Sequence, residues 1–431
     1  MANIIQSKYD LRRNPFRVAS KALVVATLFL LARFATPRAE AQPYDVLYDF
    51  GKTNLDGAVP SYGALLRDKE GNLYGTTTQG GANQRGTIFE LVNSSGQYTE
   101  TTLYSFCSKA RCTDGAAPNS FLVQDAKGNF YGTTEYGGEN GRGTVFKLDT
   151  TGKETVLHSF HGYSKSDGED PLAGLVLDKS GYLYGTTQTG GGMQDGVTYN
   201  YGTVFRVSTT GRNYGVLYFF YGGPGDGETP YAGLVMDSAG NLYGTTSFGG
   251  QFNSGTVFKL VNSSGVYNEN VLHNFTGGAD GSYPYAGLVL DSMGNLYGTA
   301  SQGGDSFNNG TVFKLNSTTG KAFRVLHPFT GAGGDGATPE AGLVRDKAGN
   351  LFGTTVTGGE NQSGVVFELV NSSGTYNEVT LYPFCSKANC IDGAAPNAGL
   401  VMDPAGNLYG ITPEGGTHGC CKGVAFEITA P

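Results

Sequence analysis

A seven-residue motif that recurs seven times constrains this chain more than any other feature of its sequence. The copy at residues 240–246 reads Gly-Asn-Leu-Tyr-Gly-Thr-Thr, and related copies lie at residues 71–77, 128–134, 181–187, 294–300, 349–355 and 406–412. Successive copies start 57, 53, 59, 54, 55 and 57 residues apart. Such regular self-similarity predicts one array of repeated structural units and argues against several unrelated domains.

Each unit contains four short segments with the composition of β-strands. In the fourth unit they are residues 232–237, 242–246, 255–260 and 270–275, and Gly, Asn and Ser separate them. Four such runs predict an antiparallel meander of hairpins. Seven four-stranded units at this spacing favour an all-β fold, the seven-bladed β-propeller, with a β-solenoid as the alternative.

The two ends of the repeat array predict how the ring closes. The last unit stops after its third strand, at residues 424–428, while a segment that matches the missing fourth strand occurs at residues 45–50. An N-terminal strand that completes the last blade would remove two exposed sheet edges. An open solenoid does not explain this offset.

At the level of the whole unit the chain resembles a known family. The pattern is Ala-Gly-Leu-Val-x-Asp-x-x-Gly-Asn-Leu-Tyr-Gly-Thr-Thr, then Gly-Gly, then Gly-Thr-Val-Phe-Lys-Leu. It resembles the Gloeo/Verruco (GloVer) tandem repeat of exported bacterial "choice-of-anchor" proteins over residues 44–429, and its first half is similar to NHL-type propeller repeats. The resemblance implies export and a propeller, and it supplies no catalytic residues. Other members carry varied C-terminal anchors, whereas none is evident here, so we expect a freely soluble monomer.

The first 41 residues differ in composition from the repeats and predict a signal peptide. Basic residues precede an apolar run at residues 22–32, and Ala-Glu-Ala at residues 39–41 fits a cleavage site. We therefore expect a signal peptide at residues 1–41, a single seven-repeat propeller domain at residues 42–431, and a secreted, periplasmic or cell-envelope location. An uncleaved membrane anchor is the alternative, and Arg12-Arg13 leaves the twin-arginine route open beside general export.

Removal of residues 1–41 changes the charge balance. The remaining chain has 22 basic and 35 acidic side chains, a net charge of −13, and no second long apolar run. Such a surface repels phosphate backbones, so nucleic acid is not an expected partner. We also expect no membrane span once the signal peptide has been removed.

Six cysteines in an exported chain are expected to be oxidised. Two nearly identical segments, Phe-Cys-Ser-Lys-Ala-Arg-Cys and Phe-Cys-Ser-Lys-Ala-Asn-Cys, predict the local disulfides Cys107–Cys112 and Cys385–Cys390. Cys420 and Cys421 are adjacent, so they form either a vicinal disulfide or bridges to other loops. The sequence does not choose between these connectivities.

Two series of aspartates recur in all seven units. The first precedes x-x-Gly and predicts a turn in which the carboxylate accepts backbone N–H groups: Asp68, Asp125, Asp178, Asp237, Asp291, Asp346 and Asp403. The second precedes Gly in the crossing from one blade to the next: Asp56, Asp114, Asp167, Asp226, Asp280, Asp335 and Asp392. Calcium is an alternative for the second series, but no Asp-x-Asp run surrounds any member, so we favour interblade hydrogen bonds and expect no cofactor.

The five histidines are interpreted as structural. His158, His273 and His327 occupy one repeat position that is otherwise tyrosine, which indicates a packing site with a polar tip. His161 and His418 fall in loops. With histidines so few and scattered, we expect no metal site. No serine or cysteine lies in a nucleophile-elbow pattern either.

Function is expected where the copies differ, on the face that carries the variable loops. The innermost strands begin there, just after a recurrent proline, with the residues Tyr62, Asn119, Leu172, Tyr231, Tyr285, Glu340 and Asn397. In a propeller these would surround the mouth of the central channel, where tyrosine, asparagine and glutamate suit a polar ligand. The structural alternative is that they only cap a water-filled tunnel.

We therefore expect an exported, non-catalytic propeller that binds a glycan or a protein through its loop-rich face. One alternative is a secreted polysaccharide hydrolase or lyase with Glu340 as an acid, although that chemistry needs a second carboxylate that the pattern does not supply. Another is a structural component of the envelope or matrix.

Overall fold

Seven four-stranded antiparallel sheets follow one another along the chain. They belong to a computed structural model that describes residues 42–60, 62–162, 165–194, 197–304, 306–419 and 421–430. The predicted signal peptide lies outside these residues, so its cleavage and the export route remain predictions. The described residues contain no α-helix, only short 3-10 turns such as Ala110–Cys112 and Ala388–Cys390. No helix among them is long and apolar enough to cross a bilayer.

The strands occupy the segments that the repeats predicted. The innermost strands are Leu66–Arg67, Val123–Gln124, Val176–Leu177, Val235–Met236, Val289–Leu290, Val344–Arg345 and Val401–Met402. The second strands are Leu73–Thr77, Phe130–Thr134, Tyr182–Thr187, Leu242–Thr246, Asn295–Ala300, Leu351–Thr355 and Leu408–Thr412. The third strands are Thr87–Ser94, Thr144–Leu148, Thr203–Ser208, Thr256–Ser263, Thr311–Asn316, Val365–Ser372 and Val424–Ile428. The outermost strands of blades 1–6 are Gln97–Ser105, Glu154–Ser159, Gly215–Phe219, Val266–Asn274, Arg324–Pro328 and Thr375–Pro383.

The N-terminal strand completes the seventh blade. Tyr44–Asp49 pairs antiparallel with Val424–Ile428, with Tyr44 opposite Ile428 and Asp49 opposite Val424. The sheet of blade 7 therefore contains, in this order, Tyr44–Asp49, Val424–Ile428, Leu408–Thr412 and Val401–Met402. The structure confirms the seven-bladed propeller and its closure, and it excludes the solenoid.

Short ribbons join each crossing to the blade that follows it. Four are two-stranded: Gly57–Ala58 with Gln79–Gly80, Gly168–Glu169 with Thr189–Gly190, Gly227–Glu228 with Phe248–Gly249, and Gly336–Ala337 with Thr357–Gly358. The other three crossings make single bridges, at Ala116, Ser282 and Ala394. One further hairpin, Met193–Gln194 with Val197–Thr198, lies in the long loop of blade 3.

A pair of phenylalanines fastens each blade to the next. A fully buried phenylalanine directly follows each outermost strand and meets, edge to face, a phenylalanine on the third strand of the following blade. The seven centroid distances are 5.0–5.2 Å: Phe50–Phe89, Phe106–Phe146, Phe160–Phe205, Phe220–Phe258, Phe275–Phe313, Phe329–Phe367 and Phe384–Phe426. Aromatic pairs favour this T-shaped arrangement because the positive ring edge meets the negative ring face.

The second glycine of each Gly-Asn-Leu-Tyr-Gly-Thr-Thr copy makes room for the second ring of that pair. A Cβ atom at Gly75 would lie 2.6 Å from Cζ of Phe89, and the other six units repeat this at 2.4–2.7 Å. This packing is not evident from the sequence. The glycine admits an aromatic ring of its own blade, because any side chain there would occupy the space of that ring.

The threonine after that glycine ties neighbouring blades together near the channel. In six units its hydroxyl donates to a backbone carbonyl in the segment that leads into the innermost strand of the next blade, at 2.9–3.2 Å. In the seventh unit Ile411 takes this position and is buried against Leu65 and Phe50. The motif tyrosine also packs between blades, since Tyr243 lies among Leu288 and Leu296 of blade 5. The motif is therefore a scaffold element.

The first aspartate series forms the predicted turns. Asp68 accepts the backbone N–H of Asn72 at 2.8 Å and the hydroxyl of Tyr74 at 3.1 Å. All seven units repeat the backbone bond, at 2.8–3.0 Å. In the crossings, however, the second series bonds mainly within its own unit, so the predicted interblade role is only partly correct. Tyr104, for example, donates to Asp114 at 2.8 Å.

The local disulfides Cys107–Cys112 and Cys385–Cys390 are both present. They close two equivalent crossings, each around a buried aspartate. Cys420 lies outside the described residues, so the pairing of Cys420 and Cys421 stays a prediction.

A tyrosine or histidine near the end of each outermost strand bonds the crossing aspartate. Four residues before it, the chain carries either an aromatic residue or a glutamate. The aromatic residues stack flat on the preceding unit, as Phe323 does on His273 at 3.8 Å. The glutamates lie near the crossing aspartates instead. Burial, with a smaller contribution from the Asp226 charge, raises the pKa of Glu269 to about 8, and one of its oxygens is buried without a hydrogen bond.

We predict that the N-terminal strand is required for cooperative folding. Deleting residues 44–50 exposes the edge of blade 7 and removes Phe50, which is fully buried. Thermal unfolding followed by circular dichroism should lose its sharp transition. Val46→Ala is the matched control, because that side chain is 36 % exposed and should change stability by less than about 0.5 kcal/mol. A deletion variant that melts like the parent would contradict closure by this strand.

We also predict that Glu269 makes stability fall as pH rises. Its folded pKa of about 8 exceeds its ordinary value of 4.5, so the folded state keeps a proton that the unfolded state releases between these pH values. Glu269→Gln should raise the free energy of unfolding at pH 8.5 by on the order of 1–3 kcal/mol and change it little at pH 5. The exposed Glu360 provides the control Glu360→Gln. Parallel pH profiles for wild type and Glu269→Gln would refute this assignment.

Candidate functional site

The seven innermost strands begin around one cavity at the end of the central channel. It has a volume of about 200 Å³ and is lined by one entry residue from every blade. These are the residues that the sequence placed there: Tyr62, Asn119, Leu172, Tyr231, Tyr285, Glu340 and Asn397. Six of them, all except Leu172, are the candidate binding residues, and the structure brings these together. Their role in binding stays a prediction.

A repeated backbone feature aims these residues at the channel. The residue before each recurrent proline has a left-handed backbone with φ of 52–61°: Val59, Ala117, Asp170, Thr229, Tyr283, Thr338 and Ala395. This conformation is costly for side chains branched at Cβ, such as Val59 and Thr229. Because all seven units keep it, the strain belongs to the scaffold that turns each crossing into its innermost strand.

Three tyrosines lie across the mouth. Tyr62 of blade 1 meets Tyr231 of blade 4 edge to face at 5.8 Å, and Tyr231 meets Tyr285 of blade 5 at 5.4 Å. The backbone N–H of Tyr62 donates to the side-chain oxygen of Asn397 at 3.3 Å. The entry residues were expected to surround an open mouth. The structure shows in addition that the three tyrosines span the mouth from one side to the other.

Below the tyrosines, Phe121 narrows the channel. Five of the seven innermost strands carry glycine at the equivalent position: Gly174, Gly233, Gly287, Gly342 and Gly399. A Cβ atom at Gly174 would lie 2.2 Å from the Phe121 ring, and one at Gly233 would lie 3.2 Å from it. The aromatic ring of Phe121 thus occupies space that the glycines leave open. A side chain therefore fills part of the channel, which the alternative interpretation treats as a water-filled tunnel.

Two carboxylates act on this tyrosine chain: Glu340 lines the cavity, and the charge of Glu135 affects the tyrosines from blade 2. Burial raises the pKa of Glu340, and burial likewise raises that of Glu135. After burial, which has the largest effect, the negative charges of both glutamates raise the pKa values of Tyr62 and Tyr231. Glu135 follows the Gly-Thr-Thr triplet of blade 2 and was missed in the sequence. Only a comparison of that position between the units could have indicated it.

Outside the tyrosines the mouth opens into a shallow depression of about 320 Å³. Besides Tyr62, Tyr231, Tyr285 and Glu340, it is lined by Gln188, Thr229 and Phe248. The sequence analysis did not assign these three residues to the site. No lysine or arginine lines either cavity in the described part of the chain.

None of the described residues of the long loop at 190–201 lines either cavity. Its Tyr199 meets Tyr221 edge to face at 5.0 Å and lies 6.4 Å from Tyr201. Asp195 of this loop lies outside the described residues.

Two histidines come together in the crossing after blade 2. His158 and His161 both contact the carboxylate of Asp167. These two histidines are therefore not scattered, because they share one carboxylate, while the expectation of no metal site stays a prediction.

The architecture and its mouth define a seven-bladed β-propeller whose channel ends in an aromatic, acidic pocket. A sequence profile of the Gloeobacter/Verrucomicrobia repeat matches residues 35–199 and 191–347. The chain belongs to this family of repeat proteins. Comparison with curated proteins finds no match.

Among solved structures, the chain is similar to a puromycin-hydrolyzing peptidase of Mycobacterium tuberculosis. The identity is 13 % and the TM-score 0.51, and the alignment covers 87 % of this chain and 53 % of the peptidase. This chain thus spans about half the length of that protein. It is also similar to a candidate gluconolactonase, with 14 % identity, a TM-score of 0.35 and coverage of 66 % and 80 %. At such identities the likeness to the peptidase shows the fold alone.

Proposed function

We propose that this protein binds a glycan at the mouth of its central channel. The observation that carries the proposal is the chain of three tyrosines, flanked by glutamate and asparagine, in a pocket built from residues that differ between units. Tyrosine rings offer flat apolar faces to sugar rings, while hydroxyl, amide and carboxylate groups bond sugar hydroxyls. Two disulfides and the predicted signal peptide are consistent with an exported protein that meets such ligands.

The charge of the mouth narrows the class of glycan. Glu340 lines the pocket, the negative charge of Glu135 also acts on its tyrosines, and no cationic side chain lines it among the described residues. An anionic sugar would leave its charge unpaired beside two carboxylates. The ligand is therefore a neutral or amino-bearing glycan. The depression of about 320 Å³ is at the lower end of small-molecule sites, which suits a short stretch of sugar units.

We predict that the tyrosines carry the affinity. Glycan-array screening of the wild type should identify neutral or amino-bearing ligands, and isothermal titration with the best of them should give its Kd. Tyr231→Ala and Tyr285→Ala should each weaken binding by roughly tenfold or more, because each removes an aromatic contact surface.

Phe252→Ala is the matched control, since Phe252 is 51 % exposed and lies outside the mouth. It should leave the Kd unchanged. Unaltered binding in both tyrosine variants would move the site away from the channel. Array hits restricted to anionic glycans, or selection of a peptide in place of any glycan, would contradict the proposal.

Hydrolysis of the bound glycan is the second candidate function. Glu135 supplies the second carboxylate that the sequence did not provide, and burial raises the pKa of both glutamates, as a general acid requires. Reducing-end release from the glycan that binds tests this candidate. Glu340→Gln and Glu135→Gln should each abolish release and leave binding measurable. The absence of release by the wild type would leave binding as the function.

A further inference from the structure

The crossing after blade 2 carries a second histidine beside its aspartate. In every unit the crossing aspartate accepts a hydrogen bond from a tyrosine or histidine at the end of the outermost strand. Asp167 also receives a second imidazole. His158 Nε2 lies 3.1 Å from its Oδ2 atom, and His161 Nδ1 lies 3.3 Å from the same atom.

Two other crossings show what the ordinary arrangement is. His273 contacts Asp280 at 3.0 Å and His327 contacts Asp335 at 3.2 Å. At the position of His161 these units carry Thr276 and Thr330, whose hydroxyls donate to the same aspartates. These two crossings fold with one imidazole and one threonine at the aspartate. The fold therefore does not require a histidine at the position of His161.

Two of the three distances between the ligand atoms have the length expected for a tetrahedral metal site. All three atoms lie within 4.8 Å of one another. Bonds of about 2.0–2.1 Å to nitrogen and oxygen place neighbouring ligands of a tetrahedral zinc ion about 3.3 Å apart. The two contacts to Asp167 Oδ2, at 3.1 and 3.3 Å, match that edge length.

The surroundings hold these ligands in place. Asp167 is only 4 % exposed, and its other oxygen accepts the backbone N–H of Gly168 at 2.8 Å and the hydroxyl of Tyr214. The ring of His158 stacks flat on Tyr214 at 3.5 Å and meets Phe160 edge to face at 4.8 Å. Such outer contacts fix the orientation of ligating side chains before a metal arrives.

We propose that His158, His161 and Asp167 bind a divalent transition-metal ion of the zinc class. Two imidazole nitrogens and one carboxylate oxygen suit zinc and its neighbours better than calcium or magnesium, which prefer oxygen ligands alone. Three protein ligands leave a fourth position for water or another small ligand. This site lies in a blade crossing and does not involve the tyrosines of the mouth.

Zinc titration of the metal-stripped, purified full chain tests the proposal. Isothermal titration at pH 7.5 should show one tight Zn²⁺ site per chain. His161→Thr and His158→Tyr should each weaken Zn²⁺ affinity by roughly a hundredfold, because each removes one of three ligands. Both replacements already occur at the equivalent positions of other units, so the variants should keep their melting curves.

His273→Tyr is the matched control, since it alters an ordinary histidine–aspartate pair and should leave the Zn²⁺ affinity unchanged. A wild type that binds Zn²⁺ no more tightly than His161→Thr would overturn the proposal and reduce the cluster to a hydrogen-bonded pair. Affinity retained in both site variants and lost in His418→Ala would also overturn it, by assigning the ion to the loop near Asp49.

Discussion

The edge-to-face contact between two phenylalanines, made once at every blade junction, is the interaction on which this ring depends. One ring directly follows the outermost strand of a unit and the other lies on the third strand of the next unit, over a glycine that has no side chain to obstruct it. Because the contact joins units that are neighbours in the ring, the seventh junction can form only if the N-terminal strand enters blade 7. There Phe50 meets Phe89, and the first residues of the domain complete the last sheet. The ring therefore closes through the same phenylalanine contact that packs its other blades together.

Because the same contacts recur at every blade junction, side chains vary at the positions that these contacts do not involve. The mouth of the channel is such a place, because one entry residue from each blade faces it and the scaffold only sets the backbone. Tyr231 and Glu340 occupy equivalent positions in different blades, so the symmetry of the fold gathers unlike side chains in one pocket. Phe121 breaks the symmetry inside the channel in the same way, since it stands where five other units have glycine.

How much of this could be predicted from the sequence follows from the range of the interactions. Turns such as the one at Asp68 depend on residues four apart, and the disulfide Cys107–Cys112 closes a loop of similar size, so local pattern was sufficient. Because the local pattern repeats seven times, the whole ring and the set of mouth residues could be predicted as well. Glu135 is not predictable in this way because its charge acts on the tyrosines of blades 1 and 4 from blade 2, an effect between units that no local pattern encodes. His161 was interpreted as a loop residue because its contact with Asp167 depends on how the crossing turns back on itself.

The central claim is that recurrent residues build the ring and that the varied residues at the channel mouth recognise the ligand. Hydroxyl-radical footprinting with mass spectrometry, with and without a saturating glycan, tests it most directly because it surveys all exposed tyrosines at once. The account predicts protection of Tyr62, Tyr231 and Tyr285 and no change at the outer-loop residues Tyr199 and Tyr221. Protection of the outer loop with unchanged oxidation at the mouth would contradict it.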